Sequence, residues 1–251
     1  MTEERDIGGA RVLIVDDLRA FADETARVVV DACVRSIAAR GSFSIALTGG
    51  STPSPMHRAL AEGPSRAQID WPRVRVLFGD ERAVPPEAKE SNYRAASVDL
   101  LQHVPLLPQH VHRMRGDASD LHAAAHDYEN TLRLVCDAKP DLVCVGIGKD
   151  AHIFSLFPTS PAIDEKDALV VASLHPPMSP ALSRITMTPP MLTRADLVLA
   201  IATGPEKRDA VAHALQGEDD AHRFPAQLIR RAPKRVWVVD RAAAAGLTLP
   251  G

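Results

Sequence analysis

Apolar residues in this chain come in short, unalternating runs at residues 11–15, 44–47, 74–78, 142–145, 169–173, 197–201 and 236–239. Runs of that length, rich in Val, Ile and Leu, predict strands covered on both faces, as in a parallel sheet. Between them the spacing becomes helical. Ala22, Ala26, Val29, Val30, Cys33 and Ile37 lie on one face of a helix over residues 21–38, and Gly41 closes it. Thr52 and Pro53 open a second helix running to about Leu60, with proline in the first turn, where its missing N–H costs little. Ser91 caps a third over residues 92–101, residues 121–135 form a long amphipathic stretch, and Gly204-Pro205 begin another that reaches Leu215. This alternation predicts an α/β fold with a largely parallel sheet and helices between the strands. Proline-containing joints at 105–108, 176–180 and 189–190 are spread along the chain without one long linker. A single domain over residues 1–251 follows, with a small lobe around residues 104–120.

Composition adds exclusions. A chain of 251 residues with 45% hydrophobic and 24% charged residues has ordinary globular make-up and enough length to bury a large core. With 4% aromatics, that core must be built from Val, Leu, Ile and Ala. The net charge of −3, with no window interleaving basic and aromatic residues, argues against nucleic acid as a partner. The polar, mostly acidic first six residues do not read as a signal peptide, and no apolar run approaches the roughly 18 residues of a membrane span. A cytoplasmic protein that does not bind membranes is expected. Cys33, Cys136 and Cys144 have no Cys-x-x-Cys spacing and read as small core residues. Ten histidines include no His-Glu-x-x-His pattern, and His122 and His126 lie four apart in a polar, Ala-rich helix, so no metal site is expected.

The chemistry-bearing residues gather where strands end. Gly146-Ile147-Gly148-Lys149-Asp150-Ala151-His152 follows the run at 142–145. Ligands of open parallel sheets bind at the carboxyl ends of strands, and here glycines permit close approach while Asp150 and His152 supply a charge and a near-neutral titrating group. A tight turn with a solvated histidine is the alternative. Thr48-Gly49-Gly50-Ser51-Thr52-Pro53 joins another strand to a helix, where free N–H groups and two hydroxyls suit a phosphate or carboxylate. The alternative is a capped turn, with Ser51 or Thr52 as N-cap. It lacks the Gly-Lys-Ser/Thr ending of a Walker loop. Gly79-Asp80-Glu81-Arg82 ends a third strand, with Ser91-Asn92 following. Buried acids need partners there, and the planar fork of Arg82 matches a phosphate, unless the group is only a surface cluster. Residues 183–188 alternate, presenting Arg184, Thr186 and Thr188 on one face. Lys207 opens the helix after Gly204-Pro205-Glu206 and either projects toward the same edge or stands in solvent.

Taken in order, Leu47–Pro53, Phe78–Pro85 with Ser91-Asn92, Asp141–Pro158, Arg184–Thr188 and Gly204–Lys207 resemble the 6-phosphogluconolactonase family, within the glucosamine-6-phosphate deaminase/6-phosphogluconolactonase superfamily. The resemblance implies a modified Rossmann-like fold and hydrolysis of 6-phospho-D-glucono-1,5-lactone in the oxidative pentose phosphate pathway, with no metal or organic cofactor. By position, it makes His152 the general base and implies that Asp150, Asp80 and Asn92 orient the base or line the sugar. Gly49, Gly50, Ser51, Thr52, Arg82, Arg184 and Lys207 would bind the phosphorylated substrate. A monomer or small homo-oligomer is expected. The chain departs from the family pattern at Ala151, where glycine is usual between Asp and His. Thr48 replaces a usual Ser, and Thr159 stands where a glycine commonly follows Phe-Pro. Were position 151 left-handed, alanine would cost about 1–2 kcal/mol. Two rival readings are an amino-sugar phosphate isomerase-deaminase, which needs a further acid soon after the histidine, and a phosphosugar-binding module without turnover. The next acid here is Asp164, and the histidine is retained.

Overall fold

A computed structural model describes residues 2–174 and 181–248, so the proline-rich joint at 176–180 lies outside the described residues. In chain order the strands are β1 (Thr2–Ile7), β2 (Ala10–Val15), β3 (Phe43–Leu47), β4 (Val74–Phe78), β5 (Asp80–Arg82), β6 (Leu142–Gly146), β7 (Val170–Ser173), β8 (Arg184–Met187), β9 (Val198–Ala202) and β10 (Arg235–Asp240). The helices are α1 (Leu18–Arg40), α2 (Ser54–Ala61), α3 (Gly63–Gln68), α4 (Asn92–Asp99), α5 (Leu121–Cys136), α6 (Pro189–Arg194), α7 (Arg208–Gln216) and α8 (Arg241–Ala244).

Seven strands form one sheet in the order β1-β2-β10-β9-β6-β3-β4, parallel from β2 to β4. Every residue of β3 and β9 is buried. Because successive side chains point to opposite faces, both faces of the sheet centre are covered, which explains the unalternating runs. Helix α1 packs on α2, α3, β2, β3 and β10. It starts where the Asp17 carboxylate accepts the Ala20 N–H and stops at Gly41, whose φ is 79°. Residues 104–120 run beside the outer edge of β4: Val76 bridges Val111, and the buried Val104 and Met114 join the same apolar core as the sheet.

A second sheet, β5-β8-β7, is antiparallel. The run at 169–173, expected among the parallel strands, lies in this small sheet as β7; only Val170 of its four residues is fully buried. The edge strand β1 adds an antiparallel hairpin that the hydrophobic pattern does not announce, because four of its six residues are charged and only Ile7 is buried.

The chain leaves β3 toward β4 on one side and β6 toward β9 on the other. The carboxyl ends of β3 and β6 therefore flank a topological switch point, where open α/β sheets bind ligands. The turns beginning at Thr48 and Ile147 meet there, with Thr48 Oγ1 accepting the Gly146 N–H at 3.4 Å.

Candidate active site

All of the candidate residues except Asp150 line one cleft of about 220 Å³ at this switch point; Asp150 stands beside it, bonded to His152. Thr48, Gly146, Ile147, Gly148 and Phe154 complete the lining. Two larger clefts, of about 540 and 300 Å³, share Arg40, Asp141 and Asp196 at the other end of the sheet. Size does not make them the site. Arg40 is held there by both aspartates, and α1 and α5 end there, with terminal carbonyls that disfavour an anion.

His152 is positioned by a tight turn. Its Nδ1 lies 2.5 Å from Asp150 Oδ1, the Gly148 N–H donates to the His152 carbonyl at 2.9 Å, and the Ala151 N–H donates to the Gly148 carbonyl at 3.0 Å. A Cβ on Gly148 would overlap the imidazole and the Asp150 carboxylate, so this glycine is required by close approach. Burial pushes the Asp150 carboxyl up, but the hydrogen bond and charge of His152 outweigh it and hold the group below the usual aspartate value. An ionised Asp150 accepting from Nδ1 leaves Nε2 as the imidazole's acceptor nitrogen. His152 is about one-quarter exposed, enough to meet a ligand from the cleft.

Ala151 has φ 62° and is buried. Thr159 has φ 64°. Both departures from the family's glycines therefore occupy left-handed backbone, and Asp150 and His152 still meet with Ala151 between them.

The cationic part of the cleft comes from the small sheet. Arg82 and Arg184 are directly opposed across β5 and β8, an arrangement of like charges that is unfavourable by itself. Asp80, 3.8 Å from Arg184 Nη1, answers part of it. Burial pulls the Arg184 guanidinium below its usual value, Asp80 opposing and Arg82 adding to that pull. Arg82 donates through Nη1 to the Glu90 carbonyl, while its buried Nε has no hydrogen-bond partner among the described residues. An anion in the cleft would relieve the repulsion between the two arginines. Lys207 joins the same lining from a 3-10 turn at Pro205–Lys207 that precedes α7.

Asp80 is almost wholly buried; it accepts from Asn92 Nδ2 at 2.9 Å and from Ser155 Oγ at 2.6 Å. Asn92, so fixed, lies against Gly49, where any Cβ would overlap its amide. Glu81 points the other way: it accepts the Asn92 and Tyr93 N–H groups at the start of α4 and the Ser91 hydroxyl. Its carboxyl is pushed up by burial, with those donors opposing. Neither Ser51 nor Thr52 caps α2; Pro53 holds the cap position with no side-chain hydrogen bond, so both hydroxyls stay with the cleft. Thr186 and Thr188 share the face of Arg184 but are spent on the scaffold, donating to the Met187 and Ala168 carbonyls.

Sequence reasoning missed Ser155 and Phe157. Phe157 packs on both His152 and Arg184, and no periodicity or charge marks it in advance. Cys33 and Cys144 are buried in the core, and the partly buried Cys136 packs against it; burial pushes the thiols up, Cys33 and Cys144 to about 12 and Cys136 to about 11. Among the described residues no group of three His, Cys, Asp or Glu side chains could hold one metal ion, and no helix is long and apolar enough to cross a membrane.

An Asp-supported histidine in a cation-lined cleft at the switch point of a parallel sheet defines an α/β protein whose cleft can accept a small anionic ligand. Comparison with known proteins narrows that class. The family model described as glucosamine-6-phosphate isomerases/6-phosphogluconolactonase matches residues 16–237. The 6-phosphogluconolactonase of Streptomyces coelicolor is 35% identical, with 94% of each chain covered, and that of Mycobacterium tuberculosis is 39% identical over 87% of this chain and 91% of its own. The solved 6-phosphogluconolactonase of Trypanosoma cruzi superposes with a TM-score of 0.85 at 26% identity, covering 96% of this chain and 97% of its own. A monomeric glucosamine-6-phosphate deaminase shares the fold, with a TM-score of 0.81 at 21% identity over 94% of this chain and 99% of its own. The chain belongs to the 6-phosphogluconolactonase family.

Proposed function

We propose that this chain hydrolyses 6-phospho-D-glucono-1,5-lactone to 6-phosphogluconate, the second step of the oxidative pentose phosphate pathway, with His152 as general base and Asp150 as its orienting partner. The observation that carries this reading is the Asp150–His152 hydrogen bond in a site that also holds Arg82, Arg184 and Lys207. In the reaction, Nε2 takes a proton from water as the water oxygen attacks the lactone carbonyl. The ring C–O bond of the tetrahedral intermediate then breaks, and the imidazolium returns its proton to the departing oxygen. Base assistance of this kind is typically worth about 10²–10⁴ in rate. Backbone N–H groups of the glycine turns supply donors for the developing oxyanion. The cations bind the phosphate, and that remote binding energy holds C1 against the attacking water.

The deaminase alternative needs a second acid beside the base. Asp164, the next acid in sequence, pairs with His222 at 3.1 Å and is not among the residues lining the cleft. The test offers the protein freshly generated 6-phosphogluconolactone and, separately, glucosamine 6-phosphate. Acid release from the lactone alone is expected. Ammonia release from the amino sugar with no lactone hydrolysis would replace this reading with the deaminase.

A further inference from the structure

We infer that Phe157 is a positioning residue that ties the base to the anion-binding arginine, and that Ser155 anchors the turn that carries it. The kinetic consequences rest on the hydrolase reading; the geometry does not.

After His152 the chain folds back on itself. Ile153 and Leu156 form an isolated antiparallel bridge, the Leu156 N–H donates to the Ile153 carbonyl at 2.8 Å, and Phe154 between them has φ 51°. This return brings the Phe157 ring against the imidazole: the centroids are 4.6 Å apart and the planes 42° from parallel. The same ring lies 5.6 Å from the Arg184 guanidinium carbon. Phe157 is 1% exposed, so these are interior contacts.

One aromatic ring thus serves two groups that the reaction needs in register. A cation within about 6 Å of a ring centroid is attracted by the ring quadrupole, so the ring favours Arg184 throughout and the imidazole while it holds the proton taken from water. Asp150 accepts the His152 backbone N–H at 3.3 Å and holds the ring through Nδ1. Packing against Phe157 restricts the swing that a single hydrogen bond leaves open, and small displacements of a base are costly in rate.

The turn is also fastened to the small sheet. Ser155 Oγ donates to Asp80 Oδ2 at 2.6 Å, and the Ser155 N–H donates to Thr186 Oγ1 at 3.1 Å. Asp80 in turn faces Arg184 and holds Asn92. Residues 155 and 157 therefore fix the distance between base and phosphate cations from one segment.

The test compares wild type with Phe157→Leu, which keeps apolar volume but removes the π face. Steady-state kinetics on 6-phosphogluconolactone are paired with NMR of the histidine ring C–H signals, His152 being assigned by its loss in His152→Ala. A fall in kcat of about tenfold and a rise in KM of a few-fold are expected, a size appropriate to one desolvated cation–π contact. The His152 signals should lose a ring-current displacement present in wild type. A folded Phe157→Leu with kcat and KM within twofold of wild type and unmoved His152 signals would overturn the inference. Should Phe157→Leu fail to fold, Ser155→Ala decides: loss of its hydrogen bond to a carboxylate should raise KM by about tenfold, more than it lowers kcat. An unchanged KM would overturn the inference. A wild type that leaves the lactone intact would defeat the hydrolase reading, while the ring signals would still judge the geometry.

Discussion

Thr159 and Ala151 both sit in left-handed backbone, the conformation that favours glycine, yet replacing each by glycine should have different consequences. Left-handed geometry costs a non-glycine residue about 1–2 kcal/mol. Introducing glycine frees the unfolded chain by about 0.4–1 kcal/mol, which subtracts from that relief. At Thr159, which is exposed, little else changes: its N–H bond to the His222 carbonyl is retained. Thr159→Gly should therefore stabilise the protein by about 1 kcal/mol, and at about 2–4 °C per kcal/mol for a chain of this size the melting temperature should rise by that amount. Ala151 is 1% exposed, and its methyl contributes about 0.8 kcal/mol of burial that glycine forfeits. The terms then cancel, and Ala151→Gly should leave stability nearly unchanged. Its activity should also stay within about twofold, because glycine can occupy the same φ and leave the Asp150–His152 bond in place. Calorimetric melts and urea titrations of both variants, with lactonase rates, provide the measurement. A destabilised Thr159→Gly would refute the strain account, and a many-fold faster Ala151→Gly would show that the alanine distorts the site.

Asp150→Asn should lower kcat by about a hundredfold at similar KM, because the amide cannot stabilise the imidazolium and can select the wrong tautomer; the range for base assistance is about 10²–10⁴. A KM effect alone would move Asp150 from base orientation to substrate binding. Arg184→Ala should raise KM by about 10–100-fold, the cost of a charge-assisted phosphate contact, and titration with 6-phosphogluconate should weaken in step; unchanged binding would take the phosphate away from Arg184. Buried His57 is held down to about 4, burial lowering it from 6.5 against a weak opposing pull from Asp99. Its folded value lies below the unfolded one, so the unfolded chain takes the proton first. Stability is then lost as pH falls from 6.5 to about 4, by up to about 3 kcal/mol. Urea titrations across that window should be flatter for His57→Leu; parallel slopes would assign the loss to other groups.

The central strands were legible because full burial on both faces demands apolar, unalternating runs, and glycine at or just after the ends of β3, β4, β6 and β9 marked the site edge. The polar strand β1 was not legible from hydrophobicity, since a charged edge strand buries almost nothing. Its signal lay in Gly8-Gly9, a two-residue turn with both φ values positive (58° and 73°). The run that forms β7 could not be assigned to the second sheet, because partner choice is a tertiary matter. In the site, charge and glycine spacing pointed to the residues that line the cleft. Glu81, one residue from Asp80, faces α4 because alternate strand positions face opposite ways, which required the strand β5 to be recognised. Phe157 acts through contacts with residues far apart in sequence and left no local mark.

The central claim is that His152 activates the attacking water. Its most direct test is hydrolysis of freshly generated 6-phosphogluconolactone by wild type and His152→Ala, with 6-phosphogluconate affinity measured on both. Loss of at least about a hundredfold in kcat with affinity retained is expected, in line with removal of a general base. An unchanged rate in the variant would contradict the account.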